Sequence, residues 1–127
     1  MKIRENYTCP LELVHDFVKG KWETILIFQL RKGTQTFSEL KHGIQGISEK
    51  MLIQQLKELQ EFGIIGKTSF VGYPLHVEYS LTDRGTKLLE AVLIMQEIGV
   101  AYMIEHGQTE QLEQKGIICA NQIPTKK

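Results

Sequence analysis

The segment from Phe37 to Tyr79 constrains the fold of this chain most strongly. Its sequence is FSELKHGIQGISEKMLIQQLKELQEFGIIGKTSFVGYPLHVEY, which predicts a helix, a turn, a second helix and two strands joined by a short glycine-proline hairpin. This order of elements is that of a winged helix. In a helix-turn-helix, the second helix enters the major groove of DNA, and a strand pair beside it can contact the neighbouring backbone. The segment therefore predicts DNA binding.

Capping residues mark both helices of this segment. Ser38 is expected to cap a helix from Glu39 to about Gly43. Ser48 is expected to cap a longer helix that runs to Phe62, where Gly63 can adopt the left-handed conformation that ends a helix. Apolar and polar residues in the longer helix recur at helical spacing on opposite sides: Leu52, Leu56 and Leu59 against Lys50, Gln54, Lys57 and Glu61. The longer helix is thus predicted to have one buried face and one polar face.

Further helices are predicted on both sides of this segment. Pro10 suits the first turn of a helix over Leu11 to Val18, because a first-turn amide hydrogen is not needed there. A second helix is expected from about Trp22 to Arg31, with a core-facing stripe made of Trp22, Ile25, Leu26 and Leu30. Thr82 or Asp83 is expected to cap a last helix that extends to about His106.

The last helix contains the stretch AVLIMQEIGVAYMI, which is apolar nearly all round. One small domain cannot cover such a helix, so we expect it to pack against a second subunit. The predicted fold class is α+β, mostly helical: a winged helix-turn-helix with added N-terminal and long C-terminal dimerisation helices. Residues 1–107 form the domain in this prediction, and residues 108–127 form a polar C-terminal tail.

Size and composition suit one globular domain of 127 residues. The chain is 42% hydrophobic and 24% charged and has no long apolar run, so no membrane span is expected. The N-terminus MKIRENYTCP lacks the apolar core of a secretory signal, and we therefore expect a cytoplasmic protein. The net charge of zero is unusual for a DNA-binding protein. It keeps open an alternative function, a winged-helix module for protein assembly that does not bind DNA.

The candidate DNA contacts lie on the two helices and the hairpin: Ser38, Lys41, Ser48, Lys50, Gln54, Gln55, Lys57, Lys67, Tyr73 and His76. Ser48 and the amides behind it could hold a phosphate at the positive end of the helix dipole. A glutamine amide can pair with adenine, and a lysine can donate to guanine or to phosphate. Taken alone, such residues more often form a solvated helix face; their place in this order of helices favours DNA contact.

Chemistry other than binding has little support in the sequence. The four histidines are widely spread and there is no CxxC pair, so we expect no metal. No phosphate-binding loop, nucleophile elbow or paired acids are found, so we expect neither a cofactor nor an enzyme. A small thiol-dependent enzyme would rest on Cys9 alone, and no effector is assigned.

Cys9 is the candidate sensor of the chain. A thiol at a helix N-terminus has its thiolate favoured by the dipole and is easier to oxidise, although Glu12 opposes this effect. The alternative is an inert cysteine packed at a dimer interface. Cys119 could be its partner across a dimer, but a structural disulfide is not expected in a reducing cytoplasm.

From Cys9 to Gly107 the chain resembles the HxlR-type winged-helix transcription regulators of bacteria and archaea, relatives of the MarR group. The matching pieces are CPLELVHDFVKGKWETILIFQL, FSEL, GISEKMLIQQLKELQEFGII and VEYSLTDRG. The resemblance implies a recognition helix over Ser48 to Phe62 and a wing over about Phe70 to Val77. It also implies that the N-terminal cysteine before a proline is the position at which some such regulators sense oxidants or electrophiles.

The resemblance further implies a cytoplasmic homodimer that binds double-stranded DNA at a near-palindromic operator. Its first and last helices would form the subunit interface, with these candidate residues: Leu11, Val14, Leu89, Val92, Leu93, Met95, Ile98 and Tyr102. One departure concerns the wing. Such wings often carry a basic residue, whereas FVGYPLH offers only His76 with Lys67 nearby.

Overall fold

A computed structural model describes residues 6–72, 76–108 and 110. The chain divides into two compact units, residues 1–90 and 91–127, which are described separately. In chain order the elements are α1 (Pro10–Val18), α2 (Lys21–Gln29), a 3₁₀ turn (Leu30–Lys32), β1 (Gln35–Thr36), α3 (Phe37–Gly43), α4 (Glu49–Glu61), β2 (Ile65–Phe70), β3 (His76–Leu81) and α5 (Asp83–Glu105). The predicted winged helix-turn-helix is confirmed.

The sheet has the strand order β1-β3-β2 and is antiparallel throughout. The wing hairpin pairs Ile65 with Leu81 at its base and Phe70 with His76 near its tip. The short strand β1, which pairs with β3, was not predicted. Two residues are too few to show the alternation by which strands are recognised in a sequence.

The start of α3 differs from the prediction. Thr36 is the N-cap: its hydroxyl accepts a hydrogen bond from the Glu39 amide (3.2 Å), and the Glu39 carboxylate accepts one from the Thr36 amide (2.8 Å). The prediction that Ser38 caps this helix was wrong, because Thr36 and Glu39 complete a capping box that Ser38 and Lys41 cannot form. Ser38 instead lies in the first turn, exposed to solvent.

The other predicted helix boundaries agree with the structure. Ser48 caps α4, with its hydroxyl 3.0 Å from the amide nitrogen of Met51, which donates the hydrogen bond. Gly63 follows the helix with φ of 74°, in the left-handed region where glycine has no Cβ penalty. Pro10 is the first residue of α1, and Cys9 is its N-cap.

The core of the first unit lies beneath α4. Leu52, Leu56 and Leu59 are at most 2% exposed. They share this core with buried aliphatic side chains of the neighbouring elements: Leu26, Ile27, Leu30, Leu40, Ile44, Ile47 and Ile64. This arrangement fixes which side of α4 is left to solvent.

The buried stripe of α2 is displaced from the predicted one. Ile25 is 37% exposed, whereas Ile27 is fully buried. The stripe runs through Glu23, Leu26, Ile27 and Leu30. A prediction based on the spacing of apolar residues assigns no charged residue to the core, so it could not place Glu23 there.

The motif TDRG ties the start of α5 to the end of α4. The Thr82 amide donates to the Ile64 carbonyl (3.0 Å), and its hydroxyl lies 2.6 Å from the Gly63 carbonyl oxygen. Arg84 donates to the Phe62 carbonyl (2.8 Å). The Gly85 amide donates to the Thr82 hydroxyl at 3.1 Å, so Thr82 is the residue that caps α5. These bonds satisfy the carbonyls of the three residues that follow α4, Phe62, Gly63 and Ile64.

The second unit contains the part of α5 from residue 91 onward. Its exposed large apolar side chains are Leu93, Ile94, Met95, Ile98 and Tyr102, of which Ile98 is 66% exposed. Val92 and Val100 are buried, so Val92 has little surface left for a partner. Within the described ranges, no helix has both the length and the apolar character needed to cross a membrane.

Candidate nucleic-acid interface

The exposed side of α4 is the centre of the candidate interface. Its solvent-exposed residues are Glu49, Lys50, Ile53, Gln54, Lys57, Gln60 and Glu61. At 3.6 residues per turn, Lys50, Ile53, Gln54 and Lys57 lie within an arc of roughly 100° on the helix surface. We call these four residues the recognition face. The face projects two cations, an amide and an aliphatic side chain from one rigid element.

The N-terminus of α4 is suited to an anion. The exposed Ser48 forms the cap, and the amide groups of the first turn concentrate positive potential at this end of the helix. Glu49, in the same turn, reduces this potential. A phosphate contact here would orient the helix without reading sequence.

Gln55 does not belong to the exposed surface. Its side chain is 7% exposed, and its amide nitrogen lies 3.6 Å from the Met51 sulfur. Its buried amide oxygen has no hydrogen-bond partner among the described residues. The expectation that Gln55 contacts DNA is corrected on this ground: Gln54 and Gln55 are adjacent, and only the first faces solvent.

The α3 candidates are less prominent. Ser38 is exposed, and its carbonyl oxygen and the His42 Nδ1 are 2.8 Å apart. Lys41 is half-buried. Both residues lie on the helix that precedes the turn, where contacts to the DNA backbone are usual.

The wing brings Lys67 close to the recognition face. A groove of about 270 Å³ is lined by residues of α3, α4, β2 and β3: Phe37, Ile53, Leu56, Lys57, Gln60, Lys67 and Tyr79. Lys57 and Lys67 thus lie on one groove. Burial raises the pKa of the Tyr79 phenol, so this side chain stays neutral in the physiological range.

Near the wing tip, His76 is paired within its own strand. Its Nε2 lies 2.7 Å from a carboxylate oxygen of Glu78, and its ring centroid is 5.3 Å from that of Phe70. The Glu78 carboxylate offsets any positive charge that His76 would offer to a phosphate. Tyr73 lies outside the described residues.

A buried carboxylate lies in α2, outside the interface. Glu23 is 2% exposed, and its Oε1 has no hydrogen-bond partner among the described residues. Burial raises the pKa of the Glu23 carboxyl above its ordinary value, and the Glu58 carboxylate raises it further. The backbone amides of Glu23 and Gly20 and the positive charge of Lys19 lower this pKa and partly oppose the rise.

Cys9 is exposed at the N-cap of α1 and is not in a disulfide. Its carbonyl accepts the hydrogen bond of the Glu12 amide at 2.9 Å. The Glu12 side chain accepts one from the Thr8 amide at 3.0 Å. An acidic side chain therefore lies in the same helical turn as the thiol. Cys119 lies outside the described residues.

The family model of the HxlR-like helix-turn-helix matches residues 17–107, which include the whole of the described interface. The chain belongs to the HxlR-like helix-turn-helix family. Its relatives include the HTH-type transcriptional regulator YtfH of Escherichia coli, strain K12. That protein is 38% identical over 89 residues, 70% of this chain and 71% of its own.

Two solved structures extend this comparison. The redox regulator HypR in its reduced form has a TM-score of 0.70 and 36% identity, covering 73% of this chain and 92% of its own. The reduced transcriptional regulator YodB from B. subtilis has a TM-score of 0.64 and 33% identity, covering 72% of this chain and 90% of its own. The protein is therefore a DNA-binding transcription regulator of a non-enzymatic class. In the parts of the chain that are described, no three His, Cys, Asp or Glu side chains gather as a metal site.

Sequence reasoning missed one residue of the recognition face, Ile53. It is 54% exposed, between two turns that carry lysines. Selecting only polar residues as DNA contacts excluded it. Its helical position relative to Lys50 and Lys57, three residues after one and four before the other, could have identified it.

Proposed function

We propose that this protein acts in the cytoplasm as a homodimer that binds a near-palindromic operator in double-stranded DNA. The observation that supports this most directly is the recognition face, held outward by a buried leucine row on the other side of α4. Two such faces would enter successive major grooves about 34 Å apart. The Ser48 end of each α4 would hold a phosphate, while Lys50, Gln54 and Lys57 would reach bases or backbone.

The exposed apolar side of α5 supports the dimer. Ile94, Ile98 and Tyr102 recur every four residues, so they form one stripe along the helix. A row of exposed apolar side chains of this length is typical of a protein interface. In α1, Leu11 is 76% exposed and Val14 36%, which supports the expected contribution of that helix.

The electrostatic contribution to binding should be modest. Lys50 and Lys57 share α4 with Glu49 and Glu61, and Glu78 offsets His76 in the wing. Lys67 is the wing cation with the best support, since it lines the same groove as Lys57. Binding should then depend on a few phosphate contacts per subunit, each of which changes the slope of log K against log salt by about 0.9.

A redox response through Cys9 is the second part of this proposal. It is supported by the exposure of Cys9 and by the similarity to HypR and YodB, of which HypR is described as a redox regulator. With hydrogen peroxide as oxidant, the Cys9 thiolate attacks one peroxide oxygen, the O–O bond breaks, and cysteine sulfenic acid and hydroxide form. Cysteine is oxidised by two electrons and the peroxide is reduced.

The test of DNA binding is a titration of the protein against its gene's own upstream DNA over a salt series. A regulator should retain that fragment over unrelated DNA and should bind more weakly as salt rises. A winged-helix assembly module, which the net charge of zero would suit, should show neither behaviour.

Variants test the face itself. Replacing Lys50 and Lys57 with Ala should lower affinity and reduce the salt slope by about 1.8 per subunit if both lysines contact phosphate. The matched control replaces Lys19 and Lys87, two exposed lysines outside α4, and removes the same charge. Equal losses in both double variants would mean that only overall charge matters, and the assignment of the recognition face would be abandoned.

A further inference from the structure

We propose that Ile53 reads the 5-methyl group of a thymine in each operator half-site. This inference rests on the proposed DNA-binding function and adds a specificity contact to it. The residues expected to contact DNA are all polar or aromatic, and none of them accounts for an aliphatic side chain that lies between Lys50 and Lys57 along the helix axis, at one edge of the recognition face.

The position of Ile53 carries the argument. It is the fifth residue of α4, so it lies in the N-terminal half of the helix, from which base edges are usually contacted. Lys50 and Lys57 lie three residues before it and four after it, on the same side of the helix. A major groove that receives both lysines would therefore bring base edges close to Ile53.

Ile53 is not needed to fill the core. It is 54% exposed, whereas Leu52 and Leu56 of the same helix are at most 2% exposed. It also lines the groove that contains Phe37 and Tyr79. A β-branched side chain in a helix also has one strongly preferred rotamer. The branch point of the exposed side chain is therefore restricted to one main orientation.

The chemistry of the major groove selects the partner. The edges of the four base pairs present hydrogen-bond donors and acceptors there, and the thymine 5-methyl group is their apolar feature. An isoleucine has no donor or acceptor to satisfy the polar edges of guanine, adenine or cytosine. It can exclude water from a methyl group, and so it should favour thymine at one position of each half-site.

The size of the effect follows from the burial of one methyl group. Removing it from one thymine should weaken binding about fourfold, and removing it from both half-sites should weaken binding about 15-fold.

The experiment first selects bound sites from random DNA and then replaces each thymine of the best site with deoxyuridine, symmetrically in both half-sites. Deoxyuridine pairs like thymine but lacks the methyl group. One symmetrical replacement should reduce affinity about 15-fold for the wild type and leave Ile53→Ala unaffected. Ile53→Val keeps the branched methyl groups and should retain most of the sensitivity. Since Ile53 is more than half exposed, and alanine favours helices, Ile53→Ala should fold normally.

Each outcome bears on the inference. If the wild type binds a specific site and every deoxyuridine replacement is neutral, Ile53 does not read a methyl group, while the proposed function stands. If Ile53→Ala keeps the full sensitivity to the replacement, another residue makes the contact and the inference also fails. If no specific site is selected at all, the proposed DNA-binding function is overturned and this inference with it.

Discussion

Gly85→Ala is expected to destabilise the protein, although alanine normally stabilises the interior of a helix. A Cβ at Gly85 would meet the carbonyl oxygen of Ile64 well inside van der Waals contact, and the carbonyl carbon at 3.1 Å. A backbone carbonyl cannot turn away as a flexible side chain can. The same carbonyl accepts the hydrogen bond of the Thr82 amide, so any shift that relieves the clash also weakens the junction of α4 and α5.

The magnitude follows from opposing contributions. The helix propensity of alanine over glycine favours the variant by about 1 kcal/mol. Overpacking costs about 1–3 kcal/mol, and weakening the two hydrogen bonds of Thr82 to Ile64 costs about 0.5–1.5 kcal/mol each. The net expectation is a loss of about 1–5 kcal/mol in the free energy of unfolding.

Urea denaturation followed by circular dichroism, at one fixed protomer concentration, measures this change. The matched control is Gly99→Ala in the same helix, where among the described residues nothing lies within 4 Å of an added Cβ. That variant should be up to about 1 kcal/mol more stable than the wild type. If Gly85→Ala were as stable as the wild type, or if both variants lost equally, the Ile64 carbonyl would not be the cause.

Three further predictions concern charge, assembly and oxidation. Burial raises the folded-state pKa of Glu23, so the folded protein is most stable while this carboxyl is protonated. That contribution to the free energy of unfolding is lost as pH rises through the folded-state pKa. The advantage of Glu23→Gln in urea denaturation should therefore grow from about pH 4 to about pH 8, and an advantage that stays constant would refute the assignment. Ile98→Lys should raise the dimer dissociation constant at least about 100-fold in sedimentation experiments. The reason is that the proposed interface would lose one isoleucine side chain from each subunit. The control variant Glu97→Lys, one residue away, should leave the dimer dissociation constant nearly unchanged. If the two variants changed this constant equally, the interface would lie elsewhere. Peroxide should change the operator affinity of the wild type but not of Cys9→Ser, and equal responses would exclude Cys9 as the sensor.

Local signals in the sequence predicted the fold well. Ser48, Gly63 and Pro10 act within their own helix ends, so their roles can be read from nearby residues alone. The capping of α3 failed because two candidate caps lie two residues apart, Thr36 and Ser38. Glu39, three residues after Thr36, decides between them, because a Thr and a Glu at this spacing form a capping box. A capping box predicts a helix start better than a single serine does.

The parts that could not be predicted depend on contacts between elements. The buried face of α2 includes Glu23, whose burial depends on the elements packed around it rather than on its own polarity. Gln54 and Gln55 are chemically identical, and only the rotation of α4 against the core separates the exposed one from the buried one. Ile53 was passed over because an aliphatic residue carries no polar group by which a DNA contact is usually recognised.

Hydrogen bonds of Thr82, Arg84 and Gly85 connect the end of α4 directly to the beginning of α5. If the first turn of α5 pivots, the carboxyl end of α4 must follow it. A helix of 13 residues is about 20 Å long, so a pivot of roughly 10° at Phe62 would sweep the opposite end through about 3 Å. That distance is about the length of a hydrogen bond. A rotation of this size would leave both helices folded, and it could still separate Ser48 and Lys50 from a phosphate or a base.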